Sequence, residues 1–136
     1  MQKTDFTKYR ALAREVLQLR EQLITLEASL FAPKVQQYKH TPPAQGKVCD
    51  MSDAVVRHLE LEALYRDRLA AKLEQQMAIE RALDSLDDPV ERMIMRYRYI
   101  EGYSWGTIIA ELGYLGYSER QVYRLHGFAL LKLKEV

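Results

Sequence analysis

"SWGTIIAELGYLGYSERQVYRLHG", residues 104–127, is the stretch whose reading decides how the C-terminal part of this chain folds. It reads as two helices pinched around a Tyr/Gly-rich corner. Ser104 caps the first, whose Ile108, Ile109 and Leu112 can face a neighbouring helix, and Gly113 ends it. Ser118 with Gln121 three residues on forms a capping box that opens the second. There Val122, Leu125, Ala129, Leu130 and Leu133 recur at helical spacing as a core face. That phase leaves Glu119, Arg120, Gln121, Tyr123 and Arg124 outward, near the helix N-terminus.

The preceding stretch, "DDPVERMIMRYRYIEG" (87–102), supplies a third short helix. Asp88 caps it, Pro89 takes the first helical position, and Glu91 is expected to reach back as capping-box partner. Val90, Met93, Ile94, Tyr97 and Ile100 form its expected buried face, and Gly102 supplies a left-handed stop. Three short helices with a Gly-containing corner before the last describe a helix-turn-helix. In that geometry the second helix braces the DNA backbone and the third offers its N-terminal side chains to base edges in the major groove. Arg can pair bidentately with guanine and Gln with adenine, so Arg120, Gln121 and Arg124 suit direct readout. The same pattern also fits a packing unit in which Arg120 and Arg124, four apart, only solvate a surface.

Upstream, the text is long and weakly punctuated. Tyr9, Leu12, Val16, Leu19, Leu23, Leu26 and Leu30 recur at steps of three and four, a coiled-coil-grade seam. A second long helix, capped at Ser52 or Asp53 and running to about Leu86, carries Val55, Leu59, Tyr65, Leu69, Leu73, Met77, Leu83 and Leu86 in a broader stripe. Between them, at about 32–51, Pro33, Pro42, Pro43 and Gly46 read as an irregular linker. Each amphipathic helix needs a partner, in its own chain or in a second copy, and a homo-oligomer built through these helices is expected.

Composition bounds the rest. The chain has 136 residues, 48% hydrophobic and 29% charged, with a net charge of +1, which fits a globular protein and not a generally basic one. Residues 1–88 carry net −1 and residues 89–136 net +2, an asymmetry that permits nucleic-acid binding in the C-terminal part. No apolar run has the length of a membrane span and the N-terminus lacks a signal-like apolar core, so a cytoplasmic location and no membrane partner are expected. Cys49 is alone, and His40, His58 and His126 are scattered without metal-ligand spacing. No phosphate loop or nucleophile motif appears, so no enzyme, metal or cofactor is expected. Trp105 reads as a core anchor able to bridge to the backbone. His126 reads as a surface or capping histidine within reach of a phosphate. Tyr97, Tyr99, Tyr103, Tyr114, Tyr117 and Tyr123 are expected mostly to pack the corner.

The run from "SLDDPVERMIMRYRYIEG" through Trp105 and "YSERQVYRLHG" to "ALLKLK" resembles region 4 of sigma-70-type factors, and most closely the phage-encoded regulators of the ArpU and RinA type. It covers the last fifty or so residues, and "RQVYRLHG" is its most specific element. The resemblance implies a phage or prophage transcription regulator that binds double-stranded DNA, with host RNA polymerase as a further partner. Relative to that family, "LGYLGYS" reads as a lengthened corner, and Gly106 stands where an acidic residue is more usual. The expectation is thus an all-α protein: a long-helix pair over 1–87, then a three-helix, region-4-like helix-turn-helix over 88–136. Its DNA-contacting residues would be Ser104, Trp105, Ser118, Glu119, Arg120, Gln121, Tyr123, Arg124 and His126. Two other classes remain open: a polymerase-docking or assembly protein without base readout, and a DNA-packaging recognition subunit.

Overall fold

A computed structural model describes residues 1–31 and 51–135, so the expected linker at about 32–51 lies almost wholly outside the described residues. The chain is all-helical. Its elements are α1 (Lys3–Thr7), α2 (Tyr9–Phe31), α3 (Met51–Asp84), α4 (Pro89–Met95), a π-helical stretch (Arg96–Ile100), α5 (Trp105–Gly113) and α6 (Glu119–Leu133), with no strand among the described residues. No helix among them is long and apolar enough to cross a membrane. The residues group into two compact units, Met1–Glu15 with Lys72–Val136, and Val16–Ala71.

The first unit is built on two apolar clusters. One joins Phe6, Tyr9 and Leu12 to Ile79, Ala82, Leu83 and Leu86, and to Met95, Tyr99, Ala129 and Leu133. The other joins Ile94, Ile108, Leu112 and Val122. Helix α4 serves both, since adjacent residues Ile94 and Met95 enter different clusters. The boundary expected near Asp88 therefore falls inside this unit, because the N-terminal residues and the end of α3 share a core with α4 and α6. The short α1 had no sequence signal beyond one aromatic residue; Phe6 is fully buried and its ring lies 5.8 Å from that of Tyr99.

Two details of α4 differ from expectation. Asp88 does cap it, accepting from the Val90 N–H at 2.9 Å. Glu91, however, does not reach back; it is 2% exposed and holds the Lys132 ammonium on both carboxylate oxygens at 3.0 and 2.9 Å. A carboxylate this buried is tolerable only with such a charged partner, and α6 supplies it. The helix then widens: Glu101 N–H donates to the Arg96 carbonyl five residues back, at 2.9 Å. Met95 and Tyr99 lie in the core, while the expected Val90, Met93, Tyr97 and Ile100 are only half-buried. Gly102 ends the helix with φ of +73°, as expected.

In the same unit a polar chain crosses three elements. The Tyr9 hydroxyl donates to Glu80 at 2.7 Å, Arg96 donates to Glu80 at 2.8 Å, and Gln76 donates to the Tyr9 oxygen at 3.1 Å. Burial pushes the Glu80 carboxyl up, but the bonds from Tyr9 and Arg96 outweigh it and leave the group below its usual range.

In the second unit polar groups join α2 to α3. His58 hydrogen-bonds the Leu26 carbonyl at 2.6 Å, and Arg66 joins Glu27 at 2.9 Å and the nearly buried Glu62. The inward positions of α3 are thus Val55, His58, Glu62, Tyr65 and Leu69, followed in the first unit by Lys72, Gln76, Ile79 and Leu83. This corrects the stripe read from its apolar residues: Leu59, Leu73 and Met77 are 49%, 38% and 49% exposed. Ser52 and Asp53 lie within the first turn of α3 rather than at its cap, and the helix ends at Asp84. The α2 seam reads as expected, with Tyr9, Leu12 and Val16 buried and Leu19, Leu23 and Leu26 half-buried.

Candidate nucleic-acid interface

Helix α5 starts where expected. The Ser104 Oγ accepts from the Thr107 N–H at 3.3 Å and lies 3.0 Å from the Thr107 hydroxyl. Ile108 and Leu112 are fully buried, which fixes the roll of the helix. Gly113 is the last residue of α5, as expected, and the left-handed residue of the corner is Gly116, with φ of +90°. Tyr117 N–H closes the turn on the Leu112 carbonyl at 3.1 Å. Between these, Tyr114 is 88% exposed and Leu115 is exposed too; of the six tyrosines expected to pack the corner, Tyr97 and Tyr117 pack against its core, Tyr99 lies in the other cluster, and Tyr103, Tyr114 and Tyr123 are exposed.

The Ser118 box closes in both directions: Ser118 Oγ accepts from Gln121 N–H at 3.2 Å, and Ser118 N–H donates to Gln121 Oε1 at 2.8 Å. The box strengthens the helix start but engages the amide oxygen that a bidentate contact with adenine would need. Val122, Ala129 and Leu133 are fully buried, and that phase leaves Glu119, Arg120 and Arg124 in solvent. Neither Arg120 nor Arg124 has an ion pair or hydrogen-bond partner among the described residues. Gly127, one turn beyond Tyr123, has open space where a Cβ would sit.

The aromatic residues assemble in a way the sequence did not announce. Trp105 is half-buried, its ring 5.1 Å from Tyr123 and 4.7 Å, edge-on, from His126. The Arg98 guanidinium lies 4.9 Å from the centre of the Trp105 ring and donates to the Tyr103 carbonyl at 3.2 Å. The pairing of Arg98 with Trp105 was not read from the sequence because it joins two separate helical elements. Its one signal is a cation a few residues ahead of a lone tryptophan.

His126 needs correction. It is 8% exposed, with Nε2 2.8 Å from the Tyr99 hydroxyl, and so is a core histidine rather than a surface or capping one. Burial, with the positive Lys3 and Arg98 nearby, lowers its pKa from 6.5 to about 4. A neutral, enclosed imidazole offers nothing to a phosphate. Burial likewise pushes the Tyr99 phenol up. Among the described residues, no three His, Cys, Asp or Glu side chains come together to hold a metal.

Against known protein families, characterised proteins and solved structures, the chain has no match.

Proposed function

We propose that α5, the corner and α6 act as a helix-turn-helix that binds double-stranded DNA in the control of transcription, with α2 and α3 as an intrachain hairpin. The observation that carries this reading is the pair of partnerless cations, Arg120 and Arg124, at the exposed N-terminal end of α6, opposite a face that is fully buried. Charges without partners on a helix whose roll is fixed from behind suit a major groove. Arg120 and Arg124 are the base readers, Tyr123 lies between them, and Ser104 and Trp105 open the bracing helix against the backbone. The phage-regulator role rests on the resemblance of "RQVYRLHG" and its flanks to sigma region 4. With a net charge of only +1, each subunit neutralises few phosphates, so affinity should be moderate and salt-sensitive.

Selection of bound duplexes from a random-sequence library tests the reading. Enrichment of one short motif is expected; no enrichment at low salt contradicts it. A second reading, docking on a protein such as RNA polymerase, draws on Phe128 and Leu131, large apolar residues exposed on α6.

A further inference from the structure

Resting on the DNA reading and deepening it, we infer that Arg98 is a phosphate-binding residue that fixes how α6 docks, held ready by Trp105 and Tyr123. Three observations carry it. The guanidinium is constrained: it lies over the Trp105 ring at 4.9 Å and is tied to the Tyr103 carbonyl at 3.2 Å, which spends one of its five donors. Its charge is uncompensated, because Arg98 makes no ion pair with any described carboxylate, whereas Arg96, two residues earlier, is neutralised by Glu80 at 2.8 Å. Its place is continuous with the exposed face of α6: Arg98 touches Trp105, the first residue of α5, and Trp105 touches Tyr123, which lies between Arg120 and Arg124.

The chemistry follows from these positions. A helix reading the major groove runs between two phosphate strands, and the bracing helix meets one of them at its N-terminal end. That end is Trp105. Held over the indole and tied to the Tyr103 carbonyl, the guanidinium presents its planar fork of N–H groups, the arrangement that takes two phosphate oxygens at once. Little rotamer freedom remains to be lost on binding. Arg98 therefore positions the helix without reading sequence, and Arg120 and Arg124 read it.

The test measures binding by fluorescence anisotropy over a salt series, on the library-selected duplex and on an unrelated duplex. Arg98→Ala is expected to weaken both by the same factor, roughly fivefold, and to lower the slope of log affinity against log salt by about 1, with the preference between duplexes unchanged. Arg98→Lys should restore the slope while recovering only part of the affinity, since the charge returns without the fork. Arg120→Ala should instead reduce the preference. A folded Arg98→Ala with an unchanged slope, or with a preference loss matching that of Arg120→Ala, overturns the proposal while leaving the DNA reading standing. If Arg98→Ala melts early, Arg98→Gln, which keeps the stem over the indole, is measured in its place under the same criteria. A wild-type chain that binds neither duplex overturns both.

Discussion

Helices α6 and α3 are both amphipathic on paper, yet they use their apolar residues in opposite ways. In α6 the residues at core spacing are the ones buried, with Val122, Ala129 and Leu133 closed to solvent. In α3 the inward row includes His58, Glu62, Lys72 and Gln76, while Leu59, Leu73 and Met77 face outward. The difference lies in what sets the helix phase. In α6 a capping box and one dense core face agree, so local and tertiary signals coincide. In α3, 34 residues pass without an internal stop, and the inward face mixes polar groups such as His58, which bonds the Leu26 carbonyl, with apolar ones such as Leu69 and Ile79.

The largest expected effect breaks this comparison directly. Leu112→Ala, in the cluster that holds α5 to α6, should cost about 2–5 kcal/mol in denaturant unfolding. Leu59→Ala, equally apolar in sequence, should change stability by less than about 0.5 kcal/mol. A Leu59 cost equal to that of Leu112 would restore the stripe read from apolar residues alone.

Acid should sharpen the contrast next. The folded-state pKa of His126 is depressed to about 4 from 6.5, so the unfolded chain binds the proton more readily between those values. The stability tied to neutral His126 is therefore fully present above about pH 6.5 and is lost as pH falls through the window towards 4, by on the order of 3 kcal/mol. His126→Gln should flatten that part of the pH–stability curve. A His126→Gln variant whose curve keeps the wild-type slope between those pH values contradicts the assignment.

The smallest effect concerns Gly127. A mid-helix glycine with open space around its missing Cβ should gain about 0.5–1 kcal/mol on becoming alanine, read as a higher melting temperature. A loss of stability would mean that its backbone carries a constraint beyond helicity.

How far the sequence could be read follows the same division. Ser104, Ser118 with Gln121, Asp88 and Gly102 all act where their local chemistry put them, because caps and left-handed stops depend on the next few residues only. Leu112 and Val122 followed from periodicity. Burial of Phe6, Glu91 and His126 did not, since each depends on a partner far along the chain: Tyr99 for Phe6 and His126, Lys132 for Glu91. At the corner the helix end at Gly113 was legible, but the left-handed turn at Gly116 was not. At the proposed interface the solvent-facing placement of Arg120 and Arg124 followed from phase, whereas the cap bond on the Gln121 oxygen and the approach of Arg98 to Trp105 depend on geometry that a residue count does not give.

The most direct test is a binding titration of the Arg120→Ala/Arg124→Ala double variant against wild type on the library-selected duplex, with circular dichroism to show that both are folded. Neither side chain has a partner within the described fold, so the variant should melt like wild type. It should also lose its preference for the selected duplex over an unrelated one, at about 1–3 kcal/mol for each base contact removed. A folded double variant that retains wild-type preference would contradict the assignment of α6 as the reading helix and leave it as the last packed helix of the chain.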